Sequence, residues 1–268
     1  MYRLFGCLLS ALLFTSPAWA QGPISGFMLE KGTHDFAVSV ATDHFDTYVF
    51  GEEERAQSLT TQSLSLYYEY GLSSKASLVF TAPYLCIDET NAGLQDGSLF
   101  VKIRNRHTQT TVGHLNFITA LGITTPLSGY TTDTNTPIGN GAFSFQGRYG
   151  VQYNSNDGYF IQLQSGLDFR LLETLQTSMP VLLRTGFGAR HYFVEGWLEW
   201  FNTFSNGVDQ NISGRTGSDW WRVGGSFYVP VYSGLGIVGG YAKIFAGKNI
   251  GLSSRFHAGL VYRLKNID

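Results

Sequence analysis

The chain has 268 residues, of which 14% are charged and 15% aromatic, with 32 glycines and a formal net charge of −2. That charge content is low, and the aromatic and glycine content high, for a soluble exported protein, and the basic residues alternate inward along strands without forming an exposed stripe for nucleic acid. No stretch beyond the first residues is uniformly apolar for the ~20 positions that a membrane-spanning helix needs.

At the start, Met1-Tyr2-Arg3 carries a positive charge, Leu4 to Phe14 is almost wholly apolar, and Ala18-Trp19-Ala20 forms a small-x-small site. This is the layout of a secretory signal peptide, so residues 1–20 are expected to be removed, leaving a single domain over 21–268. A lipoprotein reading of Leu4-Phe5-Gly6-Cys7 would need the apolar run to precede the cysteine, and here it follows. Removal of the signal takes Cys7 away and leaves Cys86 alone, with no intramolecular disulfide to form.

The remainder is organised by a two-residue hydrophobic period. It is present at Leu64, Leu66, Tyr68 and Tyr70, then at Leu99, Val101 and Ile103 alternating with Lys102, Arg104 and Arg106, then at Leu115, Phe117, Leu121 and Ile123. Phe143 to Tyr153 and Tyr159 to Phe169 repeat the pattern on either side of Asn154-Ser155-Asn156-Asp157-Gly158, the signature of a hairpin. Phe256, Ala258, Leu260, Tyr262 and Leu264 close the series, opposite Arg255, His257 and Arg263. About twelve strands follow from this period, beginning near residues 33, 59, 76, 98, 113, 141, 158, 180, 196, 220, 235 and 251.

Short connections at Gly71–Lys75, His107–Val112, Asn154–Gly158, Val194–Gly196 and Tyr232–Gly234 alternate with long polar ones at Thr42–Ser58, Cys86–Gly97, Pro126–Asn140, Leu171–Met179 and Asn206–Asp219. The last outer connection, Gly247–Ile250, is short. Bacterial barrels place short turns in the periplasm and long loops outside. The expected fold is therefore all-β, an antiparallel up-and-down transmembrane β-barrel of about twelve strands in the outer membrane, with both termini periplasmic and membrane lipid around it. A soluble sandwich or lipocalin-like barrel would also show period-two strands. Against it, the face opposite the apolar one is loaded with Arg, Gln, Ser and Gly, and aromatic residues gather near strand ends at Tyr48, Phe50, Tyr67 to Tyr70, Tyr153, Tyr159, Trp220 and Trp221.

With the apolar register toward lipid, the inward set is Lys102, Arg104, Arg106, Arg148, Arg170, Arg184, Arg190, Arg222, Arg255 and Arg263, opposed by Glu69, Asp168 and Glu199. Rings of Arg and Lys set the sign of ion preference in pores, so one reading is a basic channel wall for small solutes. The other is that these side chains pair with the acids and brace a filled lumen, as small barrels do; a structural or adhesive barrel would then present only its loops. A lipid-hydrolysing barrel enzyme would need a nucleophile and positioned base, and His34, His44, His107, His114, His191 and His257 show no recognisable Ser-His-acid spacing. No phosphate-cradling loop, CxxC pair or HExxH motif calls for a cofactor or metal.

Thr60-Thr61-Gln62-Ser63-Leu64-Ser65-Leu66-Tyr67-Tyr68-Glu69-Tyr70-Gly71-Leu72, Ala82-Pro83-Tyr84 and Gly93-Leu94-Gln95-Asp96-Gly97-Ser98-Leu99 carry a resemblance. The layout resembles the outer-membrane proteins grouped as the MetA-pathway of phenol degradation family: a Tyr-Gly-Leu turn, a strand ending in Pro-Tyr, then a Gly-Asp segment opening a strand with Lys and Arg. Lys102 and Arg104 fit the last piece, and Gln95 stands where a glycine is expected. The resemblance implies a barrel associated with uptake of small, often hydrophobic or aromatic compounds, and carries over no catalytic residues. The barrel-assembly machinery generally favours a final aromatic residue, whereas this chain ends Val261-Tyr262-Arg263-Leu264-Lys265-Asn266-Ile267-Asp268.

Overall fold

A computed structural model of the chain describes residues 24–87, 91–130, 138–172, 175–204 and 217–265; the expected signal peptide lies outside them. Among the described residues the strands are β1 (His34–Phe50), β2 (Glu53–Ser73), β3 (Ala76–Ile87), β4 (Asn91–Leu94), β5 (Asp96–Gln109), β6 (Gly113–Pro126), β7 (Phe143–Ser155), β8 (Tyr159–Leu171), β9 (Leu175–Gly188), β10 (Phe193–Thr203), β11 (Asp219–Tyr232), β12 (Leu235–Lys248), β13 (Ile250–Gly251) and β14 (Ser254–Leu264). Apart from the short β4 and β13, each pairs antiparallel with its neighbours, and β1 joins β14 as well as β2. The sheet closes on itself as a barrel with twelve long strands. Closure removes the free edges that a bilayer could not hydrogen-bond.

The alternation decides which face meets lipid. Val38 and Val40 on β1, Leu64 and Leu66 on β2, Val101 on β5, Leu121 on β6, Leu163 on β8, Phe227 on β11 and Leu260 on β14 are exposed outward. Their sequence neighbours Ala37, Ser63, Lys102, Ala120, Gln162, Gln164, Tyr228 and Val261 are buried inward. An isolated soluble protein would not leave such a belt uncovered. In a bilayer it is the solvated surface, and the all-β barrel is the transmembrane fold expected from the period.

Many inward rings are seated on small residues of adjoining strands. A Cβ on Gly122 would meet the Phe100 ring at 2.3 Å, one on Gly224 the Trp197 ring at 2.4 Å, and one on Gly240 the His257 ring at 2.4 Å. These glycines let the rings lie against the wall instead of standing across the lumen. The high glycine content thus has a packing reason.

Four connections depart from expectation, the first being Cys86–Gly97, where β3 runs to Ile87, β4 folds back on β3 and β5 begins at Asp96. Thr42–Ser58 is not a long loop: β1 and β2 run on past the membrane as a hairpin turning at Gly51 and Glu52. The outward faces of both strands become polar from Thr42 and Gln62 onward, which dates the departure from lipid and explains why this stretch looked like loop. Val194–Gly196 is strand, paired with Phe187–Thr185, and the turn lies at 189–192 instead. Leu171–Met179 is shortened by β9, which begins at Leu175. Residues 88–90, 131–137, 173–174 and 205–216 of the outer connections lie outside the described residues.

The hairpin tip is tied down. β13 pairs with Tyr48 and Val49 of β1, Gly51 N–H donates to Asn249 Oδ1 at 2.9 Å, and Lys248 Nζ reaches Glu52 Oε1 at 2.8 Å. Across the barrel mouth, Asp96 accepts the Asn140 N–H at 2.7 Å and the Tyr130 hydroxyl, anchoring the described ends of the third outer loop. Burial and the Asp96 carboxylate push the Tyr130 phenol well above its usual range, so it stays a donor.

Candidate functional site: the lumen and the strap that closes it

Residues 24–33 do not join the sheet; the segment before β1 turns back into the barrel. Gly32 N–H donates to Gly71 O at 2.8 Å at the rim next to the start of β1, and from there the chain climbs inside. Lys102 Nζ donates to Phe27 O at 2.7 Å, and Gly26 N–H donates to Gln162 Oε1 at 3.2 Å. The Phe27 ring meets Phe160 edge-on at 5.2 Å and Phe193 at 6.1 Å. Ile24 belongs to one core cluster with Tyr67, Val79, Phe100, Ala120, Phe160, Phe193, Tyr228 and Val261, residues from strands all around the wall. Gly26 is required by this approach, because a Cβ there would overlap the Gln152 side chain.

At this level the lumen has no open path. Val79, Phe100, Lys102 and Gln152 point inward and each is 0% exposed. A side chain facing a water-filled pore keeps accessible surface, and low exposure recurs around the rest of the wall at Asp35, Phe160, Phe193, Tyr228 and Val261, so strap and wall side chains pack together at this level. Sequence reasoning missed the strap. Its signal was Gly22-Pro23-Ile24-Ser25-Gly26-Phe27, apolar residues with turn formers and no two-residue period.

The inward cations are mostly paired. Lys102 meets Glu69 at 2.7 Å, and Tyr67 OH donates to the same carboxylate at 2.8 Å. Arg148 meets Asp168 at 2.5 Å, Arg255 meets Asp43 at 2.8 Å, and Arg263 grips Asp35 through Nε at 2.6 Å and Nη2 at 2.5 Å. Arg184 pairs with Glu195 while donating to Gln162 Oε1 at 3.0 Å, and Ser226 Oγ donates to Glu195 at 2.9 Å. Arg222 Nε donates to Glu199 at 3.0 Å. Arg170 donates to Gln176 Oε1 at 2.7 Å, and Arg104 to Ser74 O at 2.8 Å near the periplasmic turn.

Two expected lumen residues lie elsewhere. A bulge between Arg104 and Arg106 shifts the register, so Arg106 pairs with outward Phe117 and leaves the inner face. Arg190 lies exposed in the turn before β10. Conversely, Asp35, Asp43 and Glu195 were not counted among the opposing acids. Asp43 was assigned to a loop that is strand, and Glu195 to a turn that is strand.

Toward the outside the lumen opens. Arg222, Asp43 and Arg255 keep 23%, 27% and 30% of their side-chain surface exposed, against near zero at the strap. Phe201 and Trp220 pair across β10 and β11 on the same inner face and stack at 5.3 Å with 10° between planes, and the Arg222 guanidinium sits 5.1 Å from the Trp220 centroid. The result is an outward vestibule with charged walls and an aromatic shelf, floored by the strap.

The histidines are scattered. His34 Nδ1 lies 2.9 Å from the Tyr68 hydroxyl, His107 lies 2.8 Å from Asn116 with its ring tilted against that of His114, and His257 is buried against Gly240. His44 lies 2.9 Å from Thr60 Oγ1 and 3.2 Å from Asp46, exposed on the projecting hairpin. No group of three or more metal-ligating side chains is present among the described residues.

A closed antiparallel barrel of twelve long strands, apolar outside and polar within, defines the class: an outer-membrane β-barrel. Its fold is similar to the COG4313 outer membrane channel from Pseudomonas putida F1, with a TM-score of 0.73 over 91% of this chain and 100% of that one at 12% identity. The translocator domain of the autotransporter NalP from Neisseria meningitidis aligns over 88% of this chain and 90% of that one, with 13% identity and a TM-score of 0.49. No family model and no curated protein matches the sequence, so the likeness to the MetA-pathway family rests on the N-terminal motifs alone.

Proposed function

We propose that the protein is a passive outer-membrane channel for small solutes, entered from the extracellular vestibule. The observation that carries this is the graded lumen: partly exposed ion pairs and an aromatic shelf at the mouth, and below them a packed floor that a separate segment completes together with wall side chains. A barrel needed only as a scaffold has no use for a vestibule. Phe201, Trp220 and Arg222 together suit amphipathic solutes with an apolar or aromatic body and a polar group, the class that the N-terminal motifs imply.

The remaining parts of the reading belong with it: a signal peptide over 1–20 for export, insertion by the barrel-assembly machinery through β14 with Tyr262 and Leu264 outward, and outer-membrane lipid around the belt. Because Lys102, Arg148, Arg184, Arg222, Arg255 and Arg263 have acidic partners, the lumen wall is proposed to be charge-balanced instead of strongly basic.

The same pairing favours a second reading, a closed structural barrel whose loops make the contacts. Solute flux into liposomes carrying the purified mature chain separates the two. Entry of small amphipathic solutes above the rate of empty vesicles is expected. A folded barrel that adds nothing, with the strap loosened as well as intact, would sink the channel reading.

A further inference from the structure

We infer that the segment Ile24–Gly32 is a displaceable gate, closing the periplasmic half of the lumen when Phe27 is seated and opening it when Phe27 withdraws. The inference rests on the channel reading above and adds what controls passage.

The contrast in how wall and strap are held supports it. Wall strands are locked on both sides by continuous antiparallel ladders. The strap has no ladder: between Ile24 and the rim its main chain is held by one N–H to Gln162 and one carbonyl to Lys102. Beyond that it is held by side-chain packing of Ile24, Phe27 and Leu29 and, at its rim end, by Glu30, whose carboxylate lies 3.7 Å from Lys265 Nζ and whose carbonyl accepts the Thr33 N–H at 3.1 Å. It enters from one end and is continuous with the wall only through Gly32 and Thr33, where Gly32 has a φ of 76°, the conformation of a turn.

The seat survives without its occupant. Lys102 has Glu69 as a second partner, Gln162 has Arg184, and Phe160 and Phe193 stack on each other at 5.5 Å. Withdrawal therefore strands no charge and collapses no wall. A plug whose contacts were needed to complete the wall would not have this property.

The test uses the full mature chain with Cys86→Ser. A Cβ on Gly26 would lie 2.7 Å from Gln152 Cβ, about 1 Å or more inside the ~3.5–4.5 Å of a disulfide, so the strap must back away by about that much for the bond to form. Gly26→Cys with Gln152→Cys removes the overlapping amide and lets a small shift of the strap close the bond. Planar-bilayer conductance is read for wild type, for Phe27→Ala, and for the cysteine pair built in the Phe27→Ala background, oxidised and reduced, with heat-modifiable gel mobility reporting the folded barrel in each. The expected result is conductance in Phe27→Ala roughly tenfold or more above wild type. The oxidised pair should be silent, with conductance recovered on reduction. Equal conductance in the oxidised and reduced pair would overturn the gate while leaving the channel intact. Silence of every folded variant, Phe27→Ala included, would overturn the channel reading itself.

Discussion

Asn249 shows how much one residue can hold together at the barrel mouth. It is the non-glycine residue with positive φ among the described ones, at 53°, a conformation that asparagine tolerates better than most side chains. Its amide oxygen accepts from Gly51 N–H, and its nitrogen donates to Gly217 O at 3.2 Å, so three outer connections meet on one side chain. Asn249→Ala should cost ~1–2 kcal/mol through the lost hydrogen bonds and the strained backbone. Asn249→Gly should cost less, because it relieves the strain. The midpoint of urea unfolding in detergent micelles ranks the two. The reverse order would mean that backbone conformation is not what Asn249 supplies.

Buried pairs in the lumen obey a different arithmetic. Arg184 is 4% exposed and Glu195 0%, so either one left alone is a charge without water or counter-charge. Glu195→Ala should destabilise by ~3–5 kcal/mol, whereas the double change Arg184→Met with Glu195→Leu should cost much less, since the pair repays little beyond its own desolvation. A double-mutant cycle on the unfolding free energy checks this; additive losses would contradict the pairing.

At the level of elements, the β1–β2 hairpin stands out. A transmembrane strand needs about 9–11 residues, while β1 has 17 and β2 has 21, so the upper part of each leaves the bilayer. Phe45 still packs on Gly251, and β13 pairs the hairpin edge. The third outer loop is fixed farther round the rim, through Asp96. Asp96→Asn weakens the acceptor of both the Asn140 N–H and the Tyr130 hydroxyl, and should speed protease cleavage near residue 130 several-fold without changing barrel folding. Unchanged cleavage would mean that the loop is held elsewhere.

Strand existence was legible because one face of each strand meets lipid and the other does not, and a period of two survives any detail of packing. Starts near 76, 113, 158 and 235 agree with the structure to within a residue. The hairpin extension was illegible for the same reason, since beyond Thr42 both faces meet water and the period disappears. Lys102, Arg148, Arg170, Arg184, Arg222, Arg255 and Arg263 follow from parity alone, whereas Arg106 does not, because a bulge changes parity without leaving a mark in composition. The acid partners required knowing which strands are neighbours in register. The strap was hidden because it is neither helix nor strand and its contacts are all long-range.

For the molecule as a whole, the layout is a barrel whose lumen side chains are partly exposed near the outer mouth and buried at the level of the strap. Fully burying Ile24, Phe27 and Leu29 would be worth ~1.5–3 kcal/mol each, so the closed state should dominate in the absence of a solute that competes for the seat. Selectivity then has to be measured with the gate loosened. In the Phe27→Ala background, Arg222 and Arg255 remain compensated by Glu199 and Asp43 in the vestibule. Reversal potentials in a salt gradient should therefore show weak preference between cation and anion. Asp43→Asn together with Glu199→Gln leaves two guanidinium groups unopposed at partly exposed positions, where the field of a narrow mouth acts on passing ions. The double variant should move the reversal potential toward anion preference, and more so at low salt, because exposed charges are screened as ionic strength rises. An unshifted potential in a conducting, folded variant would place the ion path away from these pairs, and with it the vestibule would lose its role as the entrance.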